Sequence, residues 1–234
     1  MASNSEITFG ARLNNASTIS THLKSFKDYA PPKADQSAAN LDAVVENIKT
    51  HNSTTAGNKQ AYSAAVDKRQ KLFTKDADSL VKIMSPLGAA VRSIFTKTSK
   101  EATDIAAMIV KIRGEKIKKS KAEPNAEFVS QSEKSFGSMT QNFADIIATL
   151  QKFGDAYKPA NKSITIDSLV AKLALLTQAN TDVAVAYGVY KESTDDRIVL
   201  YKSLTDLTQG IKDAVKSQYG LTSTEYKLVK SLKV

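Results

Sequence analysis

The chain can be laid over itself. Displaced by 127 positions, Phe9-Gly10 falls on Phe136-Gly137, Asn15 on Asn142, Ile19 on Ile146, and Leu23, Phe26 and Asp28 on Leu150, Phe153 and Asp155. One inserted residue moves the offset to 128. Tyr29 then meets Tyr157, Pro31 meets Pro159, Leu41 meets Leu169, Asn52 meets Asn180, Tyr62 meets Tyr190, Asp67 meets Asp195 and Arg69 meets Arg197. Four residues dropped near Pro86 set the offset to 124 and bring "VRSIFTKTSKE" (91–101) over "VKSQYGLTSTE" (215–225). Four residues are about one helical turn, so the same face still points inward after the gap. Coincidences at apolar, capping and turn positions, all in one order, are the mark of an internal repeat, and a repeat constrains the fold more than any single motif.

The expectation is therefore all-α: two tandem, homologous, antiparallel (up-down) helical bundles joined by a basic helical linker. The domain boundaries read as 6–112 for the first bundle, 113–134 for the linker and 135–234 for the second. Each repeat has the size of an ordinary domain, about 100 residues. Nine Gly and five Pro in 234 residues leave few chain breakers, which favours helices.

Within the first repeat, Phe9, Leu13, Ala16, Ile19, Leu23 and Phe26 advance by threes and fours and predict a helix over 7–29. Pro31 and Pro32 end it. Asp35, and Ser163 in the copy, are placed to cap the helix that follows. A heptad-like track then runs Leu41, Val45, Ile48, Asn52, Thr55, Lys59, Tyr62, Val66, Arg69, Phe73, repeated as Leu169, Leu173, Leu176, Asn180, Val183, Tyr187, Tyr190, Thr194, Arg197, Tyr201. It fits one long helix, or two helices broken where Asn52 and Asn180 adopt a left-handed turn. The stretch "NSTTAGN" favours the break. Leu80, Met84, Leu87, Val91 and Ile94 form the next helix, and "TSKE" (98–101) and "TSTE" (222–225) read as capping boxes opening at Thr98 and Thr222. Leu221 and Tyr226 could form a hydrophobic staple there.

Composition narrows the function by exclusion. There is no cysteine, so thiolate metal sites, disulfides and cysteine nucleophiles are excluded. The opening "MASNSEITFG" lacks a secretory pattern and no apolar run approaches the roughly 18–20 residues of a membrane span, so the expectation is a cytoplasmic protein without a transmembrane segment. His22 and His51 lie too far apart along neighbouring helices to share a metal, and Thr149 and Ala179 replace them in the copy. Glu46 leads to Lys49 and Glu101 to Asp104, where a di-iron bundle needs Glu-x-x-His. No Walker loop, Gly-x-Gly-x-x-Gly or Gly-x-Ser-x-Gly occurs. The reading is of a non-catalytic protein, not an enzyme, with no cofactor and no metal.

Two features remain as candidate sites. Arg69 and Arg197 occupy inward slots, in "DKRQKLF" and "DDRIVLY", in a chain whose other arginines are Arg12, Arg92 and Arg113. With Tyr62 and Tyr190 one heptad away they could hold an anion. Alternatively each forms a structural pair with a repeated acid, Asp28 and Asp155 or Asp67 and Asp195, as buried charges usually do; the structural reading carries more weight. The run "KIRGEKIKKSK" sets Lys111, Arg113, Lys116, Lys118, Lys119 and Lys121 against one acid, a basic patch in a chain of net charge +9. It lacks interleaved aromatics for stacking on bases, so a solvated helix face outweighs a binding patch. The sequence reads best as a scaffold or adaptor for a protein partner that it does not name. Lysine-mediated binding of nucleic acid or another polyanion is the first alternative, and a ligand-binding bundle using the repeated arginine is the second. It does not fix the oligomeric state.

Overall fold

The computed structural model of the chain describes residues 8–114 and 135–234. Its described residues form helices and connecting turns with no strand. Helix α1 (Phe9–Ser25) starts where the Thr8 side chain accepts a hydrogen bond from the Ala11 N–H, and its buried face is Ala16, Ile19, Ser20 and Leu23. The corner after it is held from within. The Tyr29 hydroxyl donates to the Gln36 carbonyl at 3.1 Å, and at the corner after the helix that begins at Phe136 the Tyr157 hydroxyl donates to the Ile164 carbonyl at 2.8 Å. Burial pushes the Tyr157 phenol up to about 12. Burial, with Tyr219 beside it, does the same to Tyr29.

Helix α2 (Ala38–Gln70) and helix α6 (Ile166–Tyr219) are each continuous. Their caps are not Asp35 and Ser163. Ser37 Oγ accepts from the Asn40 N–H at 3.2 Å and Thr165 Oγ1 from the Ser168 N–H at 3.4 Å, two residues further along in both cases. The expected break at Asn52 and Asn180 is also overturned. Asn52 Nδ2 donates to the Tyr201 hydroxyl at 2.9 Å and Asn180 Nδ2 to Thr140 Oγ1 at 3.1 Å, so each amide finds a partner across the packing and does not need a left-handed turn. The polar run that suggested a break is absorbed helically: Thr50, Ser53, Thr54 and Thr55 donate back to carbonyls four residues earlier.

After α2 a π-helical turn, Lys71–Lys75, leads into a short connection, and α3 (Leu80–Phe95) follows. Pro86 lies inside α3. Sequence alignment alone puts the offset of 124 near Pro86; it can equally be carried back to the connection 76–79. Placed there, fully buried Leu80, Leu87 and Val91 fall on fully buried Leu204, Ile211 and Val215 of α6. Gly88 admits close packing of α3 on the next helix, since a Cβ there would stand 3.1 Å from Ile109 Cδ1. Thr96 follows α3 at φ 66, ψ 159, and its counterpart is Gly220 at φ 96. Helices α4 (Lys100–Arg113) and α7 (Thr224–Lys230) are capped by Ser99 and Ser223, whose side chains accept from the Ala102 and Tyr226 N–H groups, each at 3.1 Å. The caps thus sit one residue past Thr98 and Thr222. Glu101 and Glu225 fall in the first turn, where they favour the helix dipole without closing a capping box.

Helix α4 ends at Gly114, a left-handed residue whose N–H reaches the Val110 carbonyl at 2.8 Å. Lys111 and Arg113 belong to its last turn. Lys116, Lys118, Lys119 and Lys121 lie outside the described residues. Helix α5 (Phe136–Lys152) opens the second half, capped by Ser135.

The compact units do not coincide with 6–112 and 135–234. One comprises residues 1–60 and 188–234, the other residues 61–187. In the first, α1 and the start of α2 share a core with the end of α6 and with α7: Ala16, Ile19, Leu23, Leu41, Val45 and Ile48 pack with Tyr201, Leu204, Ile211, Val215 and Val229. In the second, α3 and α4 share a core with α5 and the start of α6: Phe73, Leu80, Leu87, Val91, Ile105 and Ile112 pack with Phe143, Ile146, Leu150, Tyr157, Leu169 and Leu176. Each core thus draws on both sequence halves.

Candidate functional site

The repeated arginines sit over aromatic rings. In the 61–187 unit, Arg69 on α2 places its guanidinium carbon 4.2 Å from the ring centroid of Phe136, the first residue of α5. Phe136 in turn meets the fully buried Phe73 edge-on, centroids 4.9 Å apart. In the other unit Arg197 on α6 stands 4.7 Å from the Phe9 ring, and Phe9 lies 4.5 Å from the buried Tyr201. Arg69 and Arg197 are counterparts, as are Phe136 and Phe9, and Phe73 and Tyr201. In both units the arginine comes from one sequence half and the ring from the other. A second aromatic contact has the same form: Phe95 meets Phe153 at 4.6 Å, and Tyr219 meets Phe26 at 5.8 Å.

Main-chain hydrogen bonds lock these rings. The Tyr201 hydroxyl donates to the Phe9 carbonyl at 3.1 Å while accepting from Asn52. Phe73 has no hydroxyl, and Asn180 Nδ2 reaches the Phe136 carbonyl itself at 3.5 Å. Arg12 adds a contact of its own to the first unit: it lies 4.9 Å from the Tyr201 ring and donates to the Tyr201 carbonyl at 2.9 Å and to Thr205 Oγ1 at 2.7 Å.

The acids expected to answer the arginines are engaged elsewhere. Asp67 takes Lys71 at 2.8 Å and Lys75 at 3.2 Å, and those hydrogen bonds, led by Lys71, hold its carboxyl below the usual range. Asp155 pairs with Lys158 at 2.8 Å, and Asp195 pairs with Lys191. Asp28 is in a left-handed turn, its carbonyl accepting from Gln218 Nε2 at 2.6 Å. Among the described residues neither Arg69 nor Arg197 meets a carboxylate, and the Nε of each is shielded from solvent without a hydrogen-bond partner. A ring face can receive a guanidinium where a carboxylate was expected, because its quadrupole attracts the cation without a second charge to desolvate.

The remaining candidates are dispersed. Tyr62 packs at 5.5 Å on the ring of Tyr187, and the Tyr190 carbonyl accepts from Ser193 and Thr194. His22 stacks on Phe26, while His51 Nε2 is buried without a partner. No group of three or more His, Asp or Glu side chains that could hold a metal ion occurs among the described residues, and no described helix is long and apolar enough to cross a membrane.

No family model, curated protein or solved structure matches the chain. The surface itself offers one lead that the sequence reading passed over. On α6 in the first unit, Val189, Ile198 and Val199 are 48%, 56% and 62% exposed. The residues aligned with them are Ala61 and Gln70 on α2 and Lys71 at the start of the π-helical turn. The signal was available where the aligned halves differ, at Ile198 and Val199, which are apolar where Gln70 and Lys71 are polar.

Proposed function

We propose that the chain is a non-catalytic helical scaffold or adaptor, two homologous halves derived from one duplicated bundle sequence, and that it binds a protein partner along α6. The observation that supports this reading is the exposed pair Ile198 and Val199 beside Arg197, apolar where the matching pair, Gln70 and Lys71, is polar. A soluble surface normally keeps such positions polar unless they are covered by something. The duplication is supported by matched interactions: the Tyr29 and Tyr157 corners, the Ser99 and Ser223 caps and the two arginine-aromatic stacks recur at the offsets that align the sequence. The repeated arginines, the strongest site candidates in the sequence, stack on rings inside the packing, which leaves recognition to the surface.

A cross-linked, nuclease-treated pull-down run in parallel with the natural chain and with Ile198→Lys/Val199→Lys tests this. The expected result is a polypeptide retained by the natural chain and lost by the variant, with the helical circular dichroism of both unchanged. Equal recovery by both removes α6 as the binding surface. Retention on heparin that falls steeply with salt moves the reading to polyanion binding through lysines.

A further inference from the structure

We propose that the surface each sequence half presents to the other is an exchangeable subunit interface, so that a second copy of this chain can supply either half. The product is a dimer in which residues 9–113 of one chain pack with residues 136–230 of the other, and the reverse.

Both cores are incomplete without the two halves. Leu41, Val45 and Ile48 are buried against Leu204, Ile211 and Val215, and Leu80, Leu87 and Val91 against Ile146, Leu150 and Leu169. A half left alone would expose these faces to water, at about 25 cal/mol for each Å² uncovered. The polar contacts obey the same rule. Arg69 needs Phe136, Arg197 needs Phe9, Asn52 needs Tyr201, and Lys172 reaches the Asp78 carboxylate at 2.7 Å. All of them cross from one half to the other, and the chain joins the halves only once, between Arg113 and Ser135. An interface of this kind is satisfied equally by the tethered half or by the same half of a second molecule. Effective concentration chooses between them, and exchange of identical elements is a low-cost route to a dimer.

The experiment uses the full chain with a specific protease site placed within 115–134, unfolded in urea and refolded over a range of protein concentrations. Light scattering should find a species of twice the chain mass whose share rises with concentration. Cutting at the inserted site should convert it to particles of single-chain mass, each holding one fragment of each kind. Refolding a mixture of isotopically light and heavy chains should give particles that pair a light fragment with a heavy one. A dimer that keeps its doubled mass after cutting uses some other surface and overturns the proposal. So do the absence of any dimer and the separation or precipitation of the fragments once the single chain is cut.

Discussion

Replacing Arg69 by methionine distinguishes a guanidinium held by a ring from one held by a carboxylate. Methionine keeps most of the apolar stem that packs beside the ring, so the change removes chiefly the cation. The guanidinium carbon stands 4.2 Å from the Phe136 centroid on a half-buried side chain, between the exposed and desolvated limits of such contacts, which run from about 0.5 to about 2 kcal/mol. A loss of about 1 kcal/mol is expected. With a urea dependence of roughly 2 kcal/mol per molar, that is a midpoint shift of about 0.5 M, read by far-ultraviolet circular dichroism. Had Arg69 answered a buried aspartate, the same substitution would leave an uncompensated carboxylate at a cost of about 3–5 kcal/mol. Pairing Arg69→Met with Phe136→Leu in a double-mutant cycle should return a coupling of about 0.5–1 kcal/mol. A single-variant loss of about 3 kcal/mol, or strict additivity in the cycle, would refute the ring as the partner.

Three further outcomes are expected. Thr96→Gly should stabilise the protein by about 1 kcal/mol, raising the urea midpoint by about 0.5 M. A β-branched residue at φ 66, ψ 159 stores roughly 1–3 kcal/mol, against which glycine's extra unfolded-state freedom costs about 0.5–1, and a lower midpoint would count against strain at Thr96. Ser99→Ala should cost about 1 kcal/mol while Thr98→Ala costs almost nothing, measured the same way; the opposite order would return the cap to Thr98. The third concerns pH. Burial raises the Tyr157 phenol from 10.0 to about 12, so the native state holds its proton where the unfolded chain has lost it. That contribution is fully present below pH 10.0 and disappears as pH climbs towards about 12. Tyr157→Phe should lose stability at neutral pH, because the hydrogen bond to the Ile164 carbonyl goes, and should show a shallower decline over that alkaline window; identical slopes for both proteins would contradict the assignment.

Local features were legible because short-range chemistry determines them. The apolar stripe of α1, the corner before Pro31 and the starts of α4 and α7 follow from spacing and caps, to within a residue or two. Asn52 and Asn180 misled because an asparagine ends a helix only when its amide has nothing better to bond, and here Tyr201 and Thr140 were out of sight in the sequence. Which half packs with which was not legible at all. Two similar amphipathic patterns put matching apolar residues on matching faces, so Leu41 is satisfied by Leu80 or by the aligned Leu204 with little to choose between them. The arginines failed for the same reason. Their rings, Phe9 and Phe136, stood at repeated positions, but nothing in one dimension says that Arg69 takes the distant copy.

That the cores are shared between the sequence halves can be tested by zero-length carbodiimide coupling of the single-chain species at low concentration, followed by peptide mass spectrometry. Lys172 and Asp78 lie 2.7 Å apart and Lys68 and Asp182 3.1 Å apart, each pair crossing from one half to the other, while Lys24 and Asp42 at 2.6 Å serve as a control within the first half. Amide links joining Asp78 to Lys172 and Lys68 to Asp182, alongside the control, are the expected result. Recovery of the control link, with every other link confined to 9–113 or to 136–234, would contradict it.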